Sequence, residues 1–318
     1  MFRALTLAAL FLLTSSAFAE DLKPWPQKFQ ARPAKVIAVE ALKGVAHAYE
    51  TANFRLHSDN PIKEPQLTKF ATVIESVPQL IRTLPLDLWA PPAEAKPRIV
   101  LCRDAQTYHR QGAPVGTTGY YSGRRQCVFI RADVFLNPPP SQPTRLQPKP
   151  NEDLLVHELT HLVMHGLLWR TSPWLYEGLA EYMSAAHIGG GAYNFSRIDS
   201  AIRDHIRLRH PPNANHQITC ASLDYFLPMT GKQWIDANSL AENRAAHSAY
   251  AVSLLLTHYH LQSSERRKDI QSYLILARAH RDSRRPFPRM QIGSATEIEK
   301  RLAKFWHPKG LPIRFKKP

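Results

Sequence analysis

The sequence predicts an α+β fold: a small mixed sheet with its own helices in the first half, followed by a mainly helical second half. Three observations carry this reading. Short β-type runs bounded by Gly, Pro, Asn and Ser punctuate residues 49–136. One long stretch in the same region repeats its apolar residues every three or four positions. From residue 151 onward, segment after segment shows apolar residues at helical spacing. With 44% hydrophobic and 21% charged residues, the 318-residue chain has the balance of a globular protein with a sizeable core, which excludes a disordered chain.

Taken in order, Met1-Phe2-Arg3, the apolar run Ala4–Leu13 and the small residues ending at Ala17-Phe18-Ala19 have the pattern of a cleavable export signal, 1–19, cut after Ala19. The run is too short to span a bilayer. A periplasmic or secreted location is therefore expected. Residues 20–48, rich in Pro at the start, read as an extended N-terminal arm. Phe54–Ser58 reads as a strand closed by the turn signal Asp59-Asn60-Pro61. Gln66–Leu84 reads as an amphipathic helix with Pro78 as its kink or break. Arg98–Cys102 is a strand, and a short helix follows near Asp104–Gln111. Gly119–Tyr121 and Gln126–Arg131 form a hairpin through Ser122-Gly123. The second arm of that hairpin could bind an extended peptide by strand addition.

Residues 137–150 are dense in proline, which removes backbone donors and blocks helix and ladder alike, so they form a loop. Residues 151–190 read as two helices, the first holding Leu155, Leu159 and Leu162, the second opening at Ser172-Pro173 and ending near Gly189–Gly191. The remainder, 191–318, is helical at 197–209, 240–261, 268–281 and 296–305. Cys102, Cys127 and Cys220 allow one disulfide, between Cys102 and Cys127 if their strands are neighbours, or three buried thiols. None has zinc-finger spacing.

A net charge of +15 favours contact with polyanions such as anionic envelope surfaces. The basic residues are scattered, the densest runs including Arg203–Arg209 and Arg281–Arg285, and no nucleic-acid-binding motif accompanies them. They read as a solvated basic face, and no nucleic acid is expected.

The chemistry concentrates in His157-Glu158-Leu159-Thr160-His161. Residues four apart on a helix lie one turn apart, so two imidazoles can converge on one Zn²⁺ while Glu158 stays free to take a proton from water. Met164 and Leu167 stand where the metzincin extension needs Gly and His, which excludes that class. His165 lies a further turn along, out of reach of the same ion. A third ligand has two candidates on the next helix, Glu177 and Glu181, again four apart; turn counting leans slightly toward Glu181.

His157–His161 followed by Pro173-Trp174-Leu175-Tyr176-Glu177-Gly178-Leu179-Ala180-Glu181-Tyr182 resembles the gluzincin peptidases, above all the peptidase MA-like family of exported proteins. The resemblance covers 152–182 and extends loosely upstream and to Tyr250–Ser253. It implies a zincin-like fold, Glu177 as third zinc ligand and Glu181 as support for a ligand histidine. It also implies peptide-bond hydrolysis with Glu158 as general base. Tyr250 is the first candidate for the oxyanion donor and His247 the second. The expected partner is a peptide or protein substrate, cell-wall peptides included. The competing readings are a cell-wall peptide amidase and a non-catalytic envelope scaffold.

Overall fold

The computed structural model of the protein describes residues 23–93, 95–136, 152–209, 217–239, 248–280, 290 and 293–317. The signal 1–19, the Pro-rich loop 137–150 and His247 lie outside the described residues. Half of the structure is helix and 17% strand, a mixed α+β protein.

The strands run β1 (Lys28–Gln30), β2 (Ile37–Val39), β3 (His47–Glu50), β4 (Arg55–Ser58), β5 (Arg98–Cys102), β6 (Gly119–Ser122), β7 (Cys127–Arg131), β8 (His187–Gly189), β9 (Ala192–Asn194), β10 (Ile218–Ala221) and β11 (Ile313–Lys316). The helices are α1 (Glu64–Ile81), α2 (Ala105–Arg110), α3 (Ala132–Phe135), α4 (Glu152–Val163), α5 (His165–Leu168), α6 (Pro173–Ala186), α7 (Ile198–Arg209), α8 (Leu223–Phe226), α9 (Gly231–Ser239), α10 (Ser248–Leu261), α11 (Ser264–Ala279) and α12 (Ala295–Trp306).

The main sheet has the order β2-β3-β4-β5-β7-β6, parallel through β4, β5 and β7 and antiparallel at both ends. Alternation along the strands puts Leu56, Ile99, Leu101, Val128 and Ile130 into the large core, together with Val73, Ile74 and Val77 of α1 and the apolar residues of α4. The other face carries a smaller cluster in which Tyr108 of α2 packs with Phe129, Cys102 and Cys127. Asp104 caps α2 by accepting from Thr107 N–H, with Thr107 bonding back to the cap backbone.

Several expectations change. The arm is not a free extension: β1 pairs antiparallel with β9, and β2 with β3. Its apolar residues find sheet edges, which a sequence reading of isolated short runs cannot pair. α1 continues past Pro78 to Ile81, so proline sits in the last turn and breaks nothing. Gln126–Arg131 is not the strand open to an added peptide, because β7 is flanked by β5 and β6; the edge on this side of the sheet belongs to β6. All three cysteines are free and buried. In register, Arg98 faces Cys127 and Cys102 faces Arg131, so the two cysteines sit at opposite ends of β5 and β7, ~13 Å apart along the strands and beyond disulfide reach.

α4 stops at Val163, whose carbonyl accepts from Ala90 N–H at 2.9 Å while Gly166 N–H donates to Ala90 O at 2.7 Å. α6 ends at Ala186, earlier than the glycines suggest. His187–Asn194 instead forms the hairpin β8–β9, and Gly189, Gly190 and Gly191 turn it with φ of 103°, 59° and 76°. A parallel pair, β10–β11, ties residues 313–316 back to 218–221. Among the described residues no helix is long and apolar enough to cross a membrane.

Candidate metal centre

α4 and α6 pack side by side, and α6 in turn lies against α10. This stack faces three side chains toward one point. His157 and His161 are both buried on α4, at 8% and 6% exposure. Their Nε2 atoms lie 3.1 Å apart. Glu177 Oε2, from α6, lies 3.4 Å from His157 Nε2 and 3.3 Å from His161 Nε2. Their ligand atoms form the group among the described residues able to hold a metal ion.

The triangle can be tested against chemistry. Tetrahedral ligands at Zn²⁺ bond lengths stand ~3.4 Å apart, which matches all three edges. Glu177 Oε2 is buried between two imidazole nitrogens that face it at ion-pair distance, without well-aligned hydrogen bonds. With the imidazoles deprotonated at Nε2, three lone pairs aim at a common centre, an arrangement that suits a cation between them. Two nitrogens and one carboxylate oxygen are also a donor set that zinc takes readily. The residues fit the group.

The electrostatics agree in direction. Burial pulls the His157 imidazole down, but Glu177 and Glu181, with Glu158 behind them, outweigh it and push its pKa up to about 10. Burial would raise Glu177, yet His161 and His157 hold it at about 2. These groups form ion pairs with one another, so any cation taken up between them would have to displace a proton.

Glu181 does not join the triangle. Its Oε1 faces His157 Nδ1 at 3.3 Å, on the far side of the ring from Glu177. A buried carboxylate only accepts, so Nδ1 carries the proton and Nε2 presents its lone pair to the centre. Its other oxygen, Oε2, accepts from His205 Nε2 at 2.5 Å. His205 lies on α7, inside the basic run that the sequence presents as a solvated face. No local signal singles it out.

Glu158 lies beside the triangle, with Oε2 accepting the Tyr121 backbone N–H of edge strand β6 at 2.7 Å. A Cβ at Gly119 would stand in ordinary contact with Leu154 at 3.4 Å and Glu158 at 3.7 Å, so β6 lies directly against the motif helix. The Tyr121 ring tilts over His161 at 5.8 Å, and its hydroxyl pairs with His165 Nδ1 at 2.5 Å. His165 thus turns away from the centre, as the helical spacing requires. Tyr121 is a neighbour that sequence reasoning placed only as part of a strand.

Tyr250, on α10, stands 6.3 Å from His157 ring to ring, and Trp234 of α9 meets it edge-on at 5.6 Å. Burial and then Glu177, Glu181 and Glu158 raise its pKa, so it keeps its O–H as a donor. Tyr176 flanks His161 at 5.8 Å. The centre is therefore walled by Tyr121, Tyr176 and Tyr250.

No protein-family model matches this chain, and a search of curated proteins found no match. The site is defined by its own geometry. That geometry brings together His157, His161, Glu177, Glu158, Glu181 and Tyr250 from three helices.

Proposed function

We propose that the protein is an exported, zinc-dependent peptidase with a zincin-like, gluzincin-type architecture. The observation that carries the proposal is the triangle of His157 Nε2, His161 Nε2 and Glu177 Oε2, with an uncommitted Glu158 oxygen beside it. Export rests on the signal pattern of residues 1–19.

His157, His161 and Glu177 would hold the ion. Zinc held there would supply Lewis acidity to a substrate carbonyl and lower the pKa of an attacking water. Glu158 then takes the proton of that water through its free oxygen and delivers it to the leaving amine. Its other oxygen stays on the Tyr121 N–H, which limits the carboxylate to one orientation. Tyr250 keeps its hydroxyl proton at the site's edge, suited to an oxyanion at the attacked carbon. Glu181 keeps the His157 lone pair pointed inward.

Metal analysis of the purified mature chain, joined to hydrolysis assays on peptides and on cell-wall peptides, tests the proposal. One zinc per chain is expected. Glu158→Gln should keep that zinc and lose hydrolysis by about 10²–10⁴-fold. Cleavage confined to cell-wall peptides would identify an amidase, and bound zinc without turnover on any substrate would make the chain a scaffold. Absence of zinc binding would sink the proposal outright.

A further inference from the structure

The metal-site reading above leaves one contact unexplained, that between Glu181 and His205. Glu181 is almost fully enclosed, its side chain 5% exposed, and it uses both oxygens on imidazoles. One faces the inner histidine, His157, at 3.3 Å; the other faces His205 at 2.5 Å. His205 is itself mostly covered, its side chain 13% exposed. It reaches inward from α7, which packs against α6. A carboxylate held at both ends cannot swing. Without His205 the carboxylate loses one of the contacts that fix it and can turn, which takes Oε1 off His157 Nδ1.

We propose that His205 is a positioning residue for the metal centre: through Glu181 it fixes the ring and tautomer of His157, and so strengthens zinc binding. The proposal rests on the reading of His157, His161 and Glu177 as zinc ligands. The helix that carries His205 thereby belongs to the metal site, although it contributes no ligand. Partners held directly on a ligand histidine change metal affinity by about 10–100-fold when removed, and loss of His205 acts by releasing such a partner, Glu181, from His157.

The test measures zinc affinity of the full mature chain by competition with a chromophoric chelator, beside melting of the metal-free protein. His205→Ala should bind zinc about 10–100-fold more weakly. His205→Gln, whose amide nitrogen can occupy the place of Nε2, should restore affinity to within about threefold. In a Glu181→Gln background, removing His205 should change affinity no further. With Co²⁺ in place of zinc, the visible spectrum of His205→Ala should differ from that of the parent, and that of His205→Gln should not. Equal zinc affinity in parent and His205→Ala overturns the proposal, as does a loss that His205→Gln fails to repair. A lower metal-free melting temperature with unchanged affinity overturns it too, because His205 would then only pack α7 onto α6. If the alanine variant does not fold, the glutamine variant and the Glu181→Gln background decide alone. A parent chain that binds no zinc refutes the metal-site reading itself, an outcome distinct from all of these.

Discussion

His260 shows how a single buried group sets a pH limit on this protein. It lies on α10 at 2% exposure, against Trp174 at 6.0 Å, and burial pushes its pKa from 6.5 down to about 4. The unfolded chain takes up this proton near 6.5 and the folded chain only near 4. Stability is thus unaffected above about pH 6.5 and falls as pH drops toward 4, by up to about 1.4 kcal/mol per pH unit in that window. His258, two residues earlier, is shifted downward as well, again by burial, with Asp199 opposing. Denaturant unfolding at pH 7 and pH 5 should show a clear loss for the parent and a smaller one for His260→Leu. Equal losses in both would show that His260 does not carry the effect. Glu158 illustrates the same scale in catalysis, since a single backbone N–H on β6 decides which way its carboxylate faces.

Between elements, the decisive contact is the crossing of α6 and α10. A Cβ at Gly178 would meet Thr257 Oγ1 at 2.1 Å and the Ser253 carbonyl oxygen at 2.4 Å. The helices therefore touch through backbone, and only glycine permits it. Gly178 follows the ligand candidate Glu177, and Ser253 lies three residues from Tyr250, so this crossing sets the distance between them. Gly178→Ala must push α10 outward and should cost about 2–3 kcal/mol, lowering the melting temperature by several degrees. An unchanged melting temperature would mean that the helices separate freely there. The turn at Gly189–Gly191 works at the same scale. It brings His187 back to α4, where Nδ1 meets Asp153 Oδ1 at 2.9 Å, and Gly190 N–H donates to Glu152 Oε2 at 2.9 Å. The first turn of the motif helix is held from outside by these contacts.

Over the whole molecule, the chain closes on itself at both ends of the described structure. Near the N-terminus, Trp25 packs edge-on against Tyr182 at 5.8 Å and Phe195 at 6.0 Å, and β1 extends the β8–β9 hairpin. Near the C-terminus, β11 pairs with β10. Trp25 thus braces α6 at Tyr182, while β1 braces the hairpin that follows it. Trp25→Ala should lower unfolding free energy by about 2 kcal/mol, measured by denaturant titration, through lost burial and edge-on ring contacts. A neutral result would show that the N-terminal segment is merely laid on the surface. The +15 charge has no comparable structural role. Part of it is paired locally, Arg203 with Asp204, Lys309 with Asp199, Arg278 with Asp87, Arg131 with Asp133, and Arg55 and Lys96 both with Glu50, and the buried Arg267 donates to Leu261 O.

The features that depend on neighbours in the chain were legible in the sequence. Helix periodicity alone puts His157 and His161 on one face, and alternation with turn residues places β4 to β7 within a residue or two. The strands of the arm and the β8–β9 hairpin escaped notice because a three-residue strand has no period of its own; it exists through its partner. The choice between Glu177 and Glu181 was open for a related reason: both share a face of α6, and spacing does not say how that face is rotated. The tertiary structure sets the two apart in position. The close approach of α6 to α10 at Gly178 and the packing of α6 on α4 turn Glu177 toward Nε2 and Glu181 toward Nδ1. Tyr121 and His205 enter only at that level, since each is brought to the centre by contacts 24 to 37 residues away along the chain. Local geometry follows from covalent spacing, whereas which groups meet across the fold depends on how whole surfaces pack.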